Sequence, residues 1–85
     1  MTVTEDAREA TLALLAQRPP QATICPSEVA RALAAAAGAP GGWREMMPAV
    51  HQAVDALLAE QRVQLSWKGQ MLATRAGPYR IRTPD

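Results

Sequence analysis

The apolar residues of this chain change period once, and that change limits the fold more than any other feature. Up to Glu60 they recur at helical spacing, most cleanly in Met47, Val50, Val54, Leu57 and Leu58. From Val63 onward they alternate. Val63, Leu65 and Trp67 interleave with Gln64, Ser66 and Lys68, and later Tyr79 and Ile81 interleave with Arg80 and Arg82. Helices gathered first and strands gathered last predict a segregated α+β fold.

Local signals set the boundaries. A first helix is predicted from about Glu5 to Gln17, capped by Thr2 with Glu5 or by Thr4, with Ala7, Ala10, Leu14 and Gln17 as its stripe. Pro19 and Pro20 end it. Thr23–Ile24 is long enough only for a short strand. Cys25-Pro26-Ser27-Glu28 opens a second helix, with Pro26 at the first helical position and Glu28 reaching back to the Cys25 amide. Gly38 stops it, and Gly38 to Gly42 reads as a loop. Trp43 to Met47 reads as a helical turn. Because of Pro48, the third helix either starts near Met47 or kinks there. It should end near Glu60–Gln61. Lys68-Gly69 is a turn signal, followed by a strand near Met71–Ala73, a loop at Ala76–Pro78 and a last strand at Tyr79–Arg82.

The order is helix, short strand, helix, helix, strand, turn, strand. It predicts one winged-helix domain over residues 1–85: a three-helix bundle with a small antiparallel β-sheet and a wing hairpin. A small α+β domain whose hairpin covers the helices without a helix–turn–helix angle fits the same order. Only a compact core is available. Of 41 apolar residues 18 are Ala, and Phe is absent. In a domain this small, Trp43 is expected as a lid on the core, and Trp67 as the end of the inward row begun by Val63 and Leu65.

Several function classes drop out. No apolar run approaches the roughly 18–20 residues of a membrane span. The acidic start, with Glu5, Asp6 and Glu9, does not read as a secretory signal. A single Cys excludes a disulfide scaffold and fits a cytoplasmic protein. Eight Arg to one Lys, with abundant Ala, suggest a bacterial genome rich in GC. Enzyme chemistry finds little footing. The one Cys–His pair would be Cys25 with His51, and no third orienting group is evident. No ligand spacing suggests a metal, and the glycine-containing loop lacks a phosphate-loop ending. The expectation is a non-enzymatic protein with no catalytic residue and no cofactor, and with Cys25 as a structural helix cap.

Charge is uneven. Residues 1–60 carry four Arg against seven acidic residues, a net of −3, while residues 61–85 carry five basic residues against Asp85, a net of +4. A basic C-terminal quarter suits phosphate or an acidic protein, and it equally suits a solvated strand edge. In a winged helix that binds double-stranded DNA, the third helix enters the major groove and the wing touches the backbone. The candidates are Arg44 and Gln52 around the third helix, and Arg62, Lys68, Arg75, Arg80 and Arg82 on the wing and final strand. Among them Asp55 and Glu60 oppose phosphate, so weak binding led by the wing is expected. The alternative is a protein-docking module that binds no nucleic acid. The oligomeric state is not legible.

The stretch Ile24-Cys25-Pro26-Ser27-Glu28-Val29-Ala30-Arg31-Ala32-Leu33 also resembles the signature of a small bacterial domain family of unknown function. Trp43-Arg44, Met47-Pro48 and Gly77-Pro78-Tyr79-Arg80-Ile81-Arg82 share in the similarity, which covers roughly residues 8–82. The resemblance implies a winged-helix-like fold and carries over no catalytic or binding residue.

Overall fold

A computed structural model describes residues 2–84. Helix α1 (Val3–Ala16) starts where the Thr2 hydroxyl accepts the Glu5 N–H at 3.1 Å, with Glu5 and Asp6 at the positive end of the helix dipole. Its inward line is Ala7, Thr11 and Leu15. The expected stripe of Ala7, Ala10, Leu14 and Gln17 is therefore turned: Ala10 and Leu14 pack at the rim and Gln17 is exposed. Thr11 fits the core because its hydroxyl donates to the Ala7 carbonyl one turn back, at 2.7 Å. A polar residue that satisfies itself locally leaves no trace in an apolar pattern.

Strand β1 (Thr23–Ile24) leads into α2 (Pro26–Ala36) through the expected start, with Glu28 accepting the Cys25 N–H at 2.7 Å. The helix stops as Gly38 enters the left-handed region at φ +76°. The Ala39 N–H then bonds the Ala34 carbonyl at 2.9 Å and the Gly38 N–H bonds Ala35 at 3.1 Å, closing a Schellman motif. The expected loop is shorter than its glycines suggest. Pro40–Met46 is 3₁₀ helix in two pieces that meet at a kink at Gly42 (φ −92°, ψ 16°), since Pro40 has the φ of a first helical residue and the Gly42 N–H bonds back to Ala39 at 2.9 Å. Helix α3 (Met47–Ala59) follows directly, with Pro48 in its first turn, where its missing N–H is harmless. The first of the two alternatives for Pro48 is the one observed.

Helix α3 ends in the same motif as α2: Arg62 N–H to Leu57 carbonyl at 2.9 Å and Gln61 N–H to Leu58 at 3.0 Å. Here the left-handed position is held by Gln61, at φ 61°. Strands β2 (Gln64–Trp67) and β3 (Gln70–Leu72) form a hairpin whose turn residues Lys68 and Gly69 have φ of 51° and 80°. Positive φ at both central residues makes this a two-residue turn of the I′ kind. Strand β4 (Arg80–Arg82) inserts between β1 and β2, so the antiparallel sheet runs β1-β4-β2-β3.

Register aligns one apolar residue from each strand. Ile24 faces Ile81, Ile81 faces Leu65, and Leu65 faces Leu72. The first three are fully buried against Val29, Ala30, Val50, Val54 and Leu57 of the helices. Each contributes roughly 1.5–3 kcal/mol through the apolar surface it hides. Trp67 departs from expectation, because it remains 37% exposed. Alternation with Val63 and Leu65 fixes its side of the sheet correctly. It stands opposite Gln70 at the hairpin end, past the cover of the helices. The result is an α+β molecule with a winged-helix-like order of elements.

Candidate nucleic-acid interface

Three polar side chains of α3, His51, Gln52 and Asp55, each make a contact within the molecule, although Gln52 and Asp55 stay exposed. His51 and Asp55 lie one turn apart and hold the segment between β3 and β4. His51 Nδ1 and the Tyr79 hydroxyl share a hydrogen bond of 2.7 Å, and the rings sit 5.7 Å apart. The Arg75 guanidinium forks onto the two Asp55 oxygens at 3.0 and 3.1 Å. On the other flank, Gln52 Oε1 accepts the Thr4 hydroxyl at 3.0 Å and Glu60 takes a fork from Arg8 at 2.7 and 2.6 Å. These contacts stitch α3 to α1 and to the sheet.

The seven candidate residues fall into separate places. Arg75 is neutralised by Asp55. Arg80 donates to the Thr23 hydroxyl at 2.7 Å and to its carbonyl at 3.2 Å, so the strand pair β1–β4 is also tied through side chains. Arg82 lies on the same sheet face as Arg80, opposite Gln64, and donates to the Thr83 carbonyl at 3.4 Å. Lys68 stands at the hairpin turn, its ammonium 6.0 Å from the Trp67 ring centroid. Arg62 is exposed just before β2. Among the described residues Lys68 and Arg62 make no ion pair. Arg44 sits apart, in the 3₁₀ helix, with its guanidinium carbon 4.4 Å from the centroid of Trp43. Arg31 of α2 reaches the same ring at 4.6 Å. Sequence reading missed Arg31 as Arg44's neighbour, because thirteen positions separate them and only the packing of α2 on the 3₁₀ helix joins them.

Titration follows these contacts. Burial holds the His51 imidazole below its usual range, with the nearby Arg75 charge adding to the effect and Asp55 opposing it. Burial pushes the Tyr79 phenol well up. Both groups are therefore neutral at pH 7. Glu28 is held below the carboxylate range first by the Cys25 N–H and then by Arg18 at 3.0 Å, against some burial. Glu60 is lowered by its bond to Arg8.

Groups with reactive potential are not assembled. Cys25 is half-shielded at the start of α2, and its sulfur accepts the Ser27 hydroxyl at 3.1 Å. No hydrogen bond joins it to His51 among the described residues, where His51 is engaged by Tyr79. Among the described residues, no group of three or more His, Cys, Asp or Glu is placed to hold a metal ion, and no helix is long and apolar enough to cross a membrane. Two open grooves flank Leu58. One is walled by Asp55, Ala73 and Arg75. The other is walled by Gln61, Val63 and Gln64, whose Oε1 is buried with no hydrogen bond.

The sequence model of a family described as "Protein of unknown function (DUF3253)" matches residues 4–84. No curated protein matches the chain.

Proposed function

The chain belongs to that family of unknown function, and we propose that it is a non-enzymatic, cytoplasmic bacterial winged helix that binds duplex DNA weakly through the phosphate backbone. One observation carries this reading. Between Gln61 and Pro84 the hairpin and final strand hold five basic residues and no acidic one. Lys68 projects at the turn, Arg62 lies at the entry to β2, and Arg80 and Arg82 share the outer sheet face. Arg75 and Arg80 also hold the fold, Arg75 fastening the wing to α3 through Asp55 and Arg80 tying β4 to β1 through Thr23. With His51, Gln52 and Asp55 occupied internally, little of α3 is left to read base edges. The binding is therefore positional rather than sequence-reading.

A titration of a short labelled duplex tests this. With three or four phosphates neutralised, the log–log salt slope should be near −3, at about −0.9 per phosphate. The dissociation constant should lie at roughly 10⁻⁴–10⁻⁶ M near physiological salt. Lys68→Asn is the informative variant. It removes the charge while placing a residue well suited to positive φ in the turn, so weaker binding is not a folding defect. The alternative is a protein-docking module, favoured by two large apolar side chains on the same hairpin, Met71 at 57% exposure and Trp67. No duplex complex at low salt overturns the DNA reading in favour of docking.

A further inference from the structure

We infer that Arg31, Trp43 and Arg44 form a phosphate clamp that gives the duplex a second backbone contact, at the corner between α2 and α3. This rests on the DNA reading above. Among the described residues three Arg–carboxylate pairs form: Arg8–Glu60, Arg18–Glu28 and Arg75–Asp55. Arg31 and Arg44 have no such partner among the described residues. Glu45, adjacent to Arg44, makes no ion pair with either. Instead both guanidinium carbons lie over one indole, at 4.6 and 4.4 Å from its centroid.

Sharing a ring keeps the two guanidinium carbons no more than about 9 Å apart, close to a Debye length of about 8 Å, so both raise the local potential that a phosphate backbone meets, each with a phosphate of its own. A stacked guanidinium uses its face on the ring. Its N–H edge remains available, and that edge is the fork that matches phosphate oxygens. Two like charges held this close repel each other, and backbone phosphates beside them lower that repulsion. The platform is firm. Trp43 packs against the core, and its 3₁₀ helix is wedged between α2 and the start of α3. Arg31 and Arg44 are both exposed at this corner. Lys68 and Trp67 repeat the pairing of cation and indole at the hairpin. The corner and the hairpin thus each carry a cation set beside a tryptophan.

The test is a salt titration of a labelled duplex with the otherwise unchanged chain, read from the label on the duplex. Arg31→Gln with Arg44→Gln should make the log–log slope shallower by about 1.8, two phosphates at about 0.9 each. Arg31→Lys with Arg44→Lys should keep the slope and weaken binding several-fold, because charge stays while the planar fork is lost. Circular dichroism checks that the variants fold. Should the Gln pair not fold, Arg31→Gln alone, outside the 3₁₀ helix, should lower the slope by about 0.9. An unchanged slope in a folded Gln variant overturns the clamp and leaves hairpin-led DNA binding standing. Absence of any complex with the parent chain overturns both.

Discussion

The helical corner around Trp43 and the sheet end around Trp67 meet cations in the same way but rest on different supports. Trp43 leans on buried core residues, and the segment that carries it is fixed by a Schellman motif before it and by α3 after it. Trp67 stands at the hairpin end opposite Gln70 and stays 37% exposed. The sheet shares the apolar core through Leu65, Tyr79 and Ile81, and its loop to β4 is in addition tied to α3 by polar contacts, Arg75 to Asp55 and Tyr79 to His51. Apolar burial is large and indifferent to pH, whereas exposed polar ties are small and sensitive to it. The two regions should therefore answer differently to mutation and to acid.

The sharpest contrast is between the indoles themselves. Trp43→Ala should cost about 3 kcal/mol, the low end for an aromatic that is only partly buried. Trp67→Ala should cost under about 1 kcal/mol, as for a surface position. Urea unfolding of both variants measures this, and equal costs would break the comparison. Next in size is the start of α2, on the helical side. Glu28→Ala frees the Cys25 N–H and should cost about 1 kcal/mol, typical of a lost cap. Because the Glu28 pKa is lowered on folding, its contribution is present at neutral pH and is lost as pH falls through and below the usual carboxylate range. Glu28→Gln should flatten that part of the stability–pH curve.

The sheet side has its own titration. The His51 pKa is also lowered on folding, so between its folded and unfolded values the unfolded chain binds more protons. Stability should therefore fall as pH drops below the ordinary histidine range. His51→Gln should abolish that step while Trp43→Ala leaves it in place. Thermal unfolding across that pH range reads the difference, and a step that survives His51→Gln assigns it to another group. The smallest effect lies where the chain enters the sheet. Gln61 occupies a left-handed position that glycine accepts without strain. Gln61→Gly should stabilise by about 0.5 kcal/mol, since relief of strain outweighs the greater freedom of the unfolded chain. A loss in thermal unfolding would show that the Gln61 side chain supports its groove.

The amino-acid order by itself determined the types of the three α-helices and the strands, the short first strand, the Cys25–Glu28 start of α2, the glycine stop at Gly38, the inward face of Leu65 and the shared face of Tyr79 and Ile81, but not the 3₁₀ turns from Pro40. All of these depend on neighbours within a few residues, where dihedral preference and side-chain period act directly. Periodicity also told which side of the sheet Trp67 takes. It could not tell how far the helices extend over that side, because cover is supplied by residues distant in sequence. The candidate site divides along the same line. The basic character of the C-terminal quarter was legible as composition. Which cations are already engaged was not: Arg75 meets Asp55 twenty positions away, and Arg80 meets Thr23 fifty-seven away. Arg31 and Arg44 converge on Trp43 only because α2 packs against the 3₁₀ helix. Charge is a property of the residue, but whether that charge is free depends on the residues that packing places beside it.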